Sequence, residues 1–265
     1  MVEIWLLVLQ HLEKKVNKVS IITPYLFEEE ISHLKQASVF LDAEFIFEED
    51  TARIGCDLMY QKLWKKANPN DVIILHSDMD FYNGIENWFN DLLKYVNKYP
   101  EAGMFGCKLL YPLKNKNNQP LIQCAGGKFL EDGTPDHFGS GIDVFSQKTF
   151  KDVEPDLGQY DYVREVAWTT FGGIYIRRQL LDQVGDFDPS FEWTYKRDVD
   201  YCLMARDKGW KIYQVPVPLY HFESKDVKRI RTQSNADAET RNMQRLLNKW
   251  KGSELYKTLD TKIND

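Results

Sequence analysis

Four consecutive apolar residues, Val72 to Leu75, stand between a helix-breaking Asn68-Pro69-Asn70-Asp71 and a polar Ser77-Asp78-Met79-Asp80. A run this short and uniform buries both faces of a strand, the pattern of a parallel strand covered by helices on each side. The chain must then supply those helices and further strands, and it does so repeatedly. Lys18 to Tyr25 reads as a buried strand ending at a proline, Phe27 to Leu41 as a helix, and Ala43 to Glu49 as a second strand. Cys56 to Ala67 carries Leu58, Met59, Leu63 and Trp64 at helical spacing; Ile85 to Tyr99 reads as another helix and Gly103 to Leu110 as another strand. This alternation predicts an α/β domain with a mostly parallel central sheet flanked by helices.

Beyond Leu110 the pattern loosens. Between Tyr111 and Tyr162 the chain is rich in Gly, Pro, Asn and Asp, which predicts hairpins and long loops within the same domain rather than a linker. Regular structure resumes with a strand over Trp168 to Ile176 and a short helix from Gln179 to Val184 closed by Gly185. A helix from Tyr201 to Lys208 and a strand from Trp210 to Val215, stopped by Pro216 and Pro218, come next. Ala236 to Trp250 has a helical pattern, and the chain past Gly252 is expected to fray.

At 265 residues the chain fits one large domain. Its 34 basic and 40 acidic side chains give a formal charge of −6, so it lacks the positive field that polyanion binding needs, and nucleic acid is not an expected partner. Cys56, Cys107, Cys124 and Cys202 are widely spaced and form no zinc-binding pair; they read as small core residues in a reducing compartment. The apolar run Ile4 to Leu9 is too short to span a bilayer and follows Glu3 rather than a basic leader, so a cytoplasmic protein is expected. Ile4 to Val16 predicts an amphipathic helix that either packs on the core or touches a partner or a membrane surface.

Open α/β sheets bind ligands in the crevice outside the carboxyl ends of their strands. Asp78 and Asp80 fall at such an end, directly after the Val72 to Leu75 run. Two carboxylates one residue apart, turned to one point, suit a hard divalent cation, Mg2+ or Mn2+, which is often held by one or two carboxylates plus substrate phosphates. The competing reading is a solvated turn or a helix cap. His221, just beyond the last strand, is a candidate further ligand, because neutral imidazole binds Mn2+.

Three further stretches follow in order: Phe171-Gly172-Gly173-Ile174-Tyr175-Ile176, Val184-Gly185-Asp186-Phe187-Asp188, and Arg197-Asp198-Val199-Asp200 running on to Gly209-Trp210. With Asp78-x-Asp80 upstream and Tyr220-His221 downstream, the chain resembles, from about Val19 to Trp250, the family-two glycosyltransferases, inverting enzymes with the A-type α/β fold. The resemblance implies one domain of that fold. A Rossmann-like nucleotide-sugar-binding half would occupy 18–110 and an acceptor-binding and catalytic half 111–225, with an N-terminal helix over 1–17 and a helical tail over 226–265. It also implies a nucleotide-diphosphate sugar as donor, UDP- or GDP-linked, and a glycan or glycosylated acceptor. A metal at Asp80 and Asp78 would bridge the donor pyrophosphate, and Asp198 would be the catalytic base.

The chain departs from the family in two places. Many members carry Glu before the catalytic Asp, where Arg197 stands here, so the acidic pair is incomplete; and the stretch from Phe47 to Gly55 is short. By position Thr23, Pro24 and Tyr25 after the first strand, Glu48 after the second and Arg53 before the next helix would line the nucleoside, with Ser77 and Asp78 on the donor side. Glu48 would accept from a base N–H and Arg53 face phosphate, although each reads equally well as surface charge. Gly172-Gly173 either lets the backbone pass close to donor or acceptor or marks a bulge with tight packing. Trp193 and Tyr195 offer aromatic faces suited to an acceptor pyranose or to the core, and His137 either borders the acceptor or is simply exposed. Two rival classes stay open on the residues: a non-catalytic carbohydrate- or partner-binding module, and a nucleotidyltransferase. The latter's Gly-rich, Lys-containing phosphate loop is missing from Thr23-Pro24-Tyr25-Leu26.

Overall fold

β1 (Val19–Tyr25), β2 (Glu44–Glu49) and β3 (Asp71–Ile74) pair in parallel, with β1 between the other two. This computed structural model of the protein describes residues 18–139, 153–192, 196–222 and 233–263. The expected N-terminal helix, Trp193 and Tyr195 lie outside them. The helix expected over Phe27 to Leu41 is split into a 3-10 turn, Glu28–Ile31, and α1 (Ser32–Ser38). α2 (Cys56–Lys66) joins β2 to β3 as expected. A short β4 (Met79–Phe81), α3 (Ile85–Lys98) and the long β5 (Ala102–Lys114) follow.

The loop-rich middle contributes β6 (Pro120–Cys124), which pairs with β5, and a separate hairpin of β7 (Gly127–Phe129) and β8 (Pro135–His137). β9 (Arg164–Val166) precedes β10 (Ile174–Ile176). The strand expected over Trp168 to Ile176 is therefore only its last three residues. β10 runs antiparallel to both β3 and β5, between them. α4 (Arg178–Val184), α5 (Arg197–Asp207), β11 (Lys211–His221), α6 (Gln233–Trp250) and β12 (Asp260–Lys262) complete the chain. The ten-stranded sheet has the order β12-β9-β11-β5-β10-β3-β1-β2, with β4 on β11 and β6 on β5. β1, β2, β3, β5 and β11 point the same way.

Two sequence expectations about the end of the chain are corrected. β11 does not stop at its prolines: its register against β5 jumps between Val215 and Pro218, leaving Pro216 and Val217 in a bulge, and pairing resumes from Pro218 to Tyr220. A bulge removes the need for a ladder donor at a proline, so the strand survives. Nor does the tail fray past Gly252, since β12 returns to pair with β9 at the sheet edge.

Alternation along the buried strands sorts side chains between two cores. Ile22, Val72, Ile74, Met104, Ile174, Ile176 and Ile212 pack with Tyr60, Leu63 and Trp64 of α2 and with α4, α5 and α6. Ile21, Ile73, Leu75, Phe105, Tyr175 and Tyr213 pack with α1 and α3. The uniform run Val72 to Leu75 is thus buried on both faces, as the sequence demands. All four cysteines are free thiols; three are buried, but Cys56 is exposed rather than in the core. No helix among the described residues is long and apolar enough to cross a membrane.

Gly172 and Gly173 form the sharp entry to β10. Gly173 has φ +68°, donates to Ile74 O and accepts from Cys107 N, and a Cβ there would lie 2.6 Å from Leu219 Cδ1. Left-handed backbone costs a non-glycine residue about 1–2 kcal/mol, and overpacking typically adds about 1–3 kcal/mol. Gly173→Ala is therefore expected to lower Tm by several degrees in a circular-dichroism melt; an unchanged Tm would contradict this packing.

Candidate active site and metal centre

Beyond β3 the same alternation continues for two residues. His76 keeps the side of Val72 and Ile74, emerges on the face of α2, and stacks on Tyr60 with ring centroids 5.7 Å apart and planes 10° from parallel. A turn at Ser77-Asp78, in which Met79 N donates to His76 O, then reverses the chain into β4. β4 pairs antiparallel with the end of β11, so that His221 stands opposite Met79 and Phe222 N donates to Asp78 O. The bulged continuation of β11 is what carries His221 this far.

His76, Asp78 and His221 converge, with one donor atom from each lying within 4.8 Å of the others. His221 Nε2 is 3.2 Å from Asp78 Oδ1 and 3.3 Å from His76 Nδ1, and the two rings meet edge to face. His221 Nδ1 is 2.6 Å from the Gln123 carbonyl oxygen, Oε1, a hydrogen bond that forms with the proton on Nδ1. In neutral His221 the lone pair on Nε2 therefore faces a carboxylate oxygen and a second imidazole. Burial, then the neighbouring His221, pull His76 down to about 4, against the opposing pull of Asp78, so His76 is a neutral imidazole near neutral pH. These three donor atoms are close enough together to share one cation. Adjacent ligands around a six-coordinate cation with bonds of about 2.1 Å stand about 3 Å apart, close to the 3.2 and 3.3 Å that separate His221 Nε2 from Asp78 and His76. Two imidazoles with one carboxylate suit Mn2+ better than Mg2+, which prefers oxygen.

The sequence placed the carboxylate pair at Asp78 and Asp80, and only Asp78 joins this cluster. Asp80 lies in β4, opposite Tyr220, exposed, with its Oδ1 accepting from Phe81 N at 2.7 Å. The spacing of one intervening residue holds, but two residues earlier, in His76-x-Asp78. His76 went unnoticed because it reads as the end of the apolar run. Gly172 backs it: a Cβ there would come 2.7 Å from Met79 Cε and 3.3 Å from His76 Cε1. Tight packing thus accounts for both glycines.

The expected donor side is gathered less completely. Thr23 is buried at the end of β1, and its hydroxyl has no hydrogen-bond partner; Pro24 and Tyr25 follow it in the same strand. Both carboxylate oxygens of Glu48 are occupied by Lys62 and Lys66 of α2, which hold the group below its ordinary range. Glu48 is therefore turned to the helix rather than offered to a base. Asp50, absent from the sequence reading, is buried and accepts from Ile54 N and Gly55 N, both at 2.9 Å, fixing the turn into α2. Arg53 is exposed with φ +54°, and its guanidinium lies 5.4 Å from the Phe27 ring. Ser77 is half-buried between His76 and Asp78.

Asp198 sits in the first turn of α5, which begins at Arg197 rather than at Tyr201, so it lies inside the helix. Its Oδ1 accepts from Val199 N at 2.9 Å. Burial lifts its carboxyl above the ordinary value, opposed by the Val199 amide and Lys196. The neighbouring carboxylates are engaged elsewhere. Asp200 is buried against α6, accepting from Trp250 Nε1 at 2.6 Å and pairing with Lys249 at 3.0 Å, and Glu192 is held down to about 2 by Arg241 and Arg245. Arg197 is buried; Nη2 donates to Phe191 O, while Nε and Nη1 have no hydrogen-bond partner. Asp57, in the first turn of α2, is pushed up to about 6 by burial and then by the charge of Asp198, with Arg197 opposing. The fold thus brings a second carboxylate toward Asp198 that no sequence spacing revealed. His137, half-buried in β8, packs its ring 5.0 Å from Trp168.

No family model matches the chain. Among curated proteins it is similar to the O-antigen biosynthesis protein RfbC of Myxococcus xanthus, 24% identical over 161 residues, covering 60% of this chain and 11% of that protein. Among solved structures it is similar to GalNAc-T7, crystallised with UDP, GalNAc and Mn2+, at a TM-score of 0.60 and 10% identity over 92% of this chain and 49% of that one. It is also similar to the mannosyltransferase PcManGT from Pyrobaculum calidifontis, in complex with GDP-Man and Mn2+, at a TM-score of 0.51 and 12% identity over 95% of this chain and 83% of that one. The chain therefore spans a small part of RfbC and about half of GalNAc-T7. The fold is the A-type glycosyltransferase fold, a single α/β domain with its central sheet flanked by helices.

Proposed function

We propose that the protein is an inverting glycosyltransferase of the family-two kind, moving a sugar from a UDP- or GDP-linked donor to a glycan hydroxyl. The observation that carries this reading is the convergence of His76, Asp78 and His221 on one point beyond the carboxyl end of β3, where an open α/β sheet takes its ligand. Two histidines and a carboxylate also form the ligand face of non-haem iron enzymes; Mn2+ is favoured here because GalNAc-T7 and PcManGT, which share the fold, were each obtained with Mn2+.

His76, Asp78 and His221 would hold Mn2+. A cation there supplies positive charge for the diphosphate leaving group. The residues of the chain do the rest. Thr23, Pro24, Tyr25 and Ser77 border the donor, and the acceptor enters from the side of α5. Asp198 takes the proton from the acceptor hydroxyl as its oxygen attacks the anomeric carbon from the face opposite the diphosphate. A single displacement of this kind inverts the configuration and needs no covalent intermediate. Arg197, standing where a second carboxylate is common, offsets the charge of Asp57 beside the base.

A ligand that binds only the folded state at about 100 times its Kd adds about 2.7 kcal/mol of apparent stability. Thermal melts with UDP-sugars and GDP-sugars are expected to show a rise of Tm for one nucleotide class, present with Mn2+ and lost in chelator. A Tm that no nucleotide sugar moves, with Mn2+ present, would overturn the proposal.

A further inference from the structure

Gln123 is a buried polar side chain that touches the cluster without being one of its candidate ligands. Gln123 lies in β6, only 6% exposed, and its register against β5 is irregular there: Cys124 pairs with Leu109, and Ile122 pairs with Leu110. The register steps past Gln123 between those two pairs, so it is the extra residue of a β-bulge. Bulges free a side chain from strand alternation and re-aim it, and they gather beside functional sites. β11 reaches the site by the same device on the other edge of β5, through the bulge at Pro216-Val217. The two irregularities thus bring the side chains of β6 and β11 together, with Gln123 Oε1 2.6 Å from His221 Nδ1.

From this geometry we infer that Gln123 is a positioning residue for the metal centre, fixing His221 as the Nδ1–H tautomer with its Nε2 lone pair turned to Asp78 and His76. The inference rests on the metal-centre reading. A neutral imidazole has one donor nitrogen and one acceptor nitrogen, and the partner of the first decides which nitrogen is left for a cation. A carbonyl acceptor at Nδ1 leaves Nε2 open. Without it, the Nε2–H tautomer would gain the Asp78 carboxylate at 3.2 Å as acceptor, and the coordinating lone pair would point away from the cluster. Partners that orient a ligating histidine typically contribute about 10–100-fold in metal affinity.

Gln123→Met keeps the length and removes the strong acceptor, while Gln123→Glu keeps an acceptor at the same reach. Two readouts apply: the ring 15N shifts of His221 in metal-free protein, and Mn2+ affinity by calorimetry. Wild type is expected to show the Nδ1–H tautomer. Gln123→Met should shift His221 toward Nε2–H and weaken Mn2+ binding by about 10–100-fold, and Gln123→Glu should restore both. An unmoved tautomer in Gln123→Met, or a moved tautomer with unchanged Mn2+ affinity, would overturn the inference. Wild-type protein that takes up no Mn2+ would instead overturn the metal centre, and the tautomer readout would still judge the Gln123 contact, so the two failures are told apart. If Gln123→Met does not fold, Gln123→Glu carries the test through its tautomer and affinity, which must match wild type.

Discussion

Asp198→Asn is expected to lose about 10²–10⁴-fold in transfer rate, the usual contribution of a positioned general base, with Tm, nucleotide binding and Mn2+ uptake unchanged. Asparagine keeps a side-chain oxygen that can accept from Val199 N, the hydrogen bond Asp198 makes at 2.9 Å, but it cannot take a proton as a carboxylate does. The competing carboxylates are weaker candidates on physical grounds. Asp200 is committed to Trp250 and Lys249, and Glu192 to Arg241 and Arg245. Burial raises Asp198 above the ordinary carboxylate value, and the base works only when ionised. The wild-type rate should therefore fall as the pH drops through that raised pKa, at a higher pH than an exposed aspartate would give. This acid limb should vanish with the residue. A near wild-type rate for Asp198→Asn across the neutral range would remove it from the chemistry.

The parallel β1-β2-β3 start of the sheet was legible because β1 and β3 are buried on both faces, so uniform apolar runs such as Val72 to Leu75 leave little choice, while β2, a half-exposed edge strand, showed itself by alternation. Asp78 and His221 were legible as polar groups at strand ends. His76 was hidden at the end of an apolar run, although its two-residue spacing from Ile74 and Asp78 held the signal. Asp80 looked the stronger ligand because composition does not show the turn at Ser77-Asp78 that sends it into β4. Gln123 could not be read at all, since its role depends on a bulge inside a turn-rich stretch. The strand through Pro216 and Pro218 was missed for the same reason: a bulge takes Pro216 out of the ladder, and pairing resumes at Pro218. Glu48 failed differently, because its lysine partners lie 14 and 18 residues further along the chain and are brought to it only by the packing of α2 on β2.

The cation site proposed here is His76, Asp78 and His221, and not Asp78 with Asp80. Loss of a direct ligand removes a coordinating bond, so its effect should exceed the about 100-fold ceiling typical of residues that only orient a ligand. Electron paramagnetic resonance of free Mn2+, titrated with protein, reads the uptake directly. Wild type should deplete the aqueous signal at one site per chain; His76→Ala and Asp78→Ala should each weaken that uptake by more than about 100-fold, and Asp80→Ala should leave it unchanged. Uptake abolished by Asp80→Ala and untouched by His76→Ala would contradict the assignment.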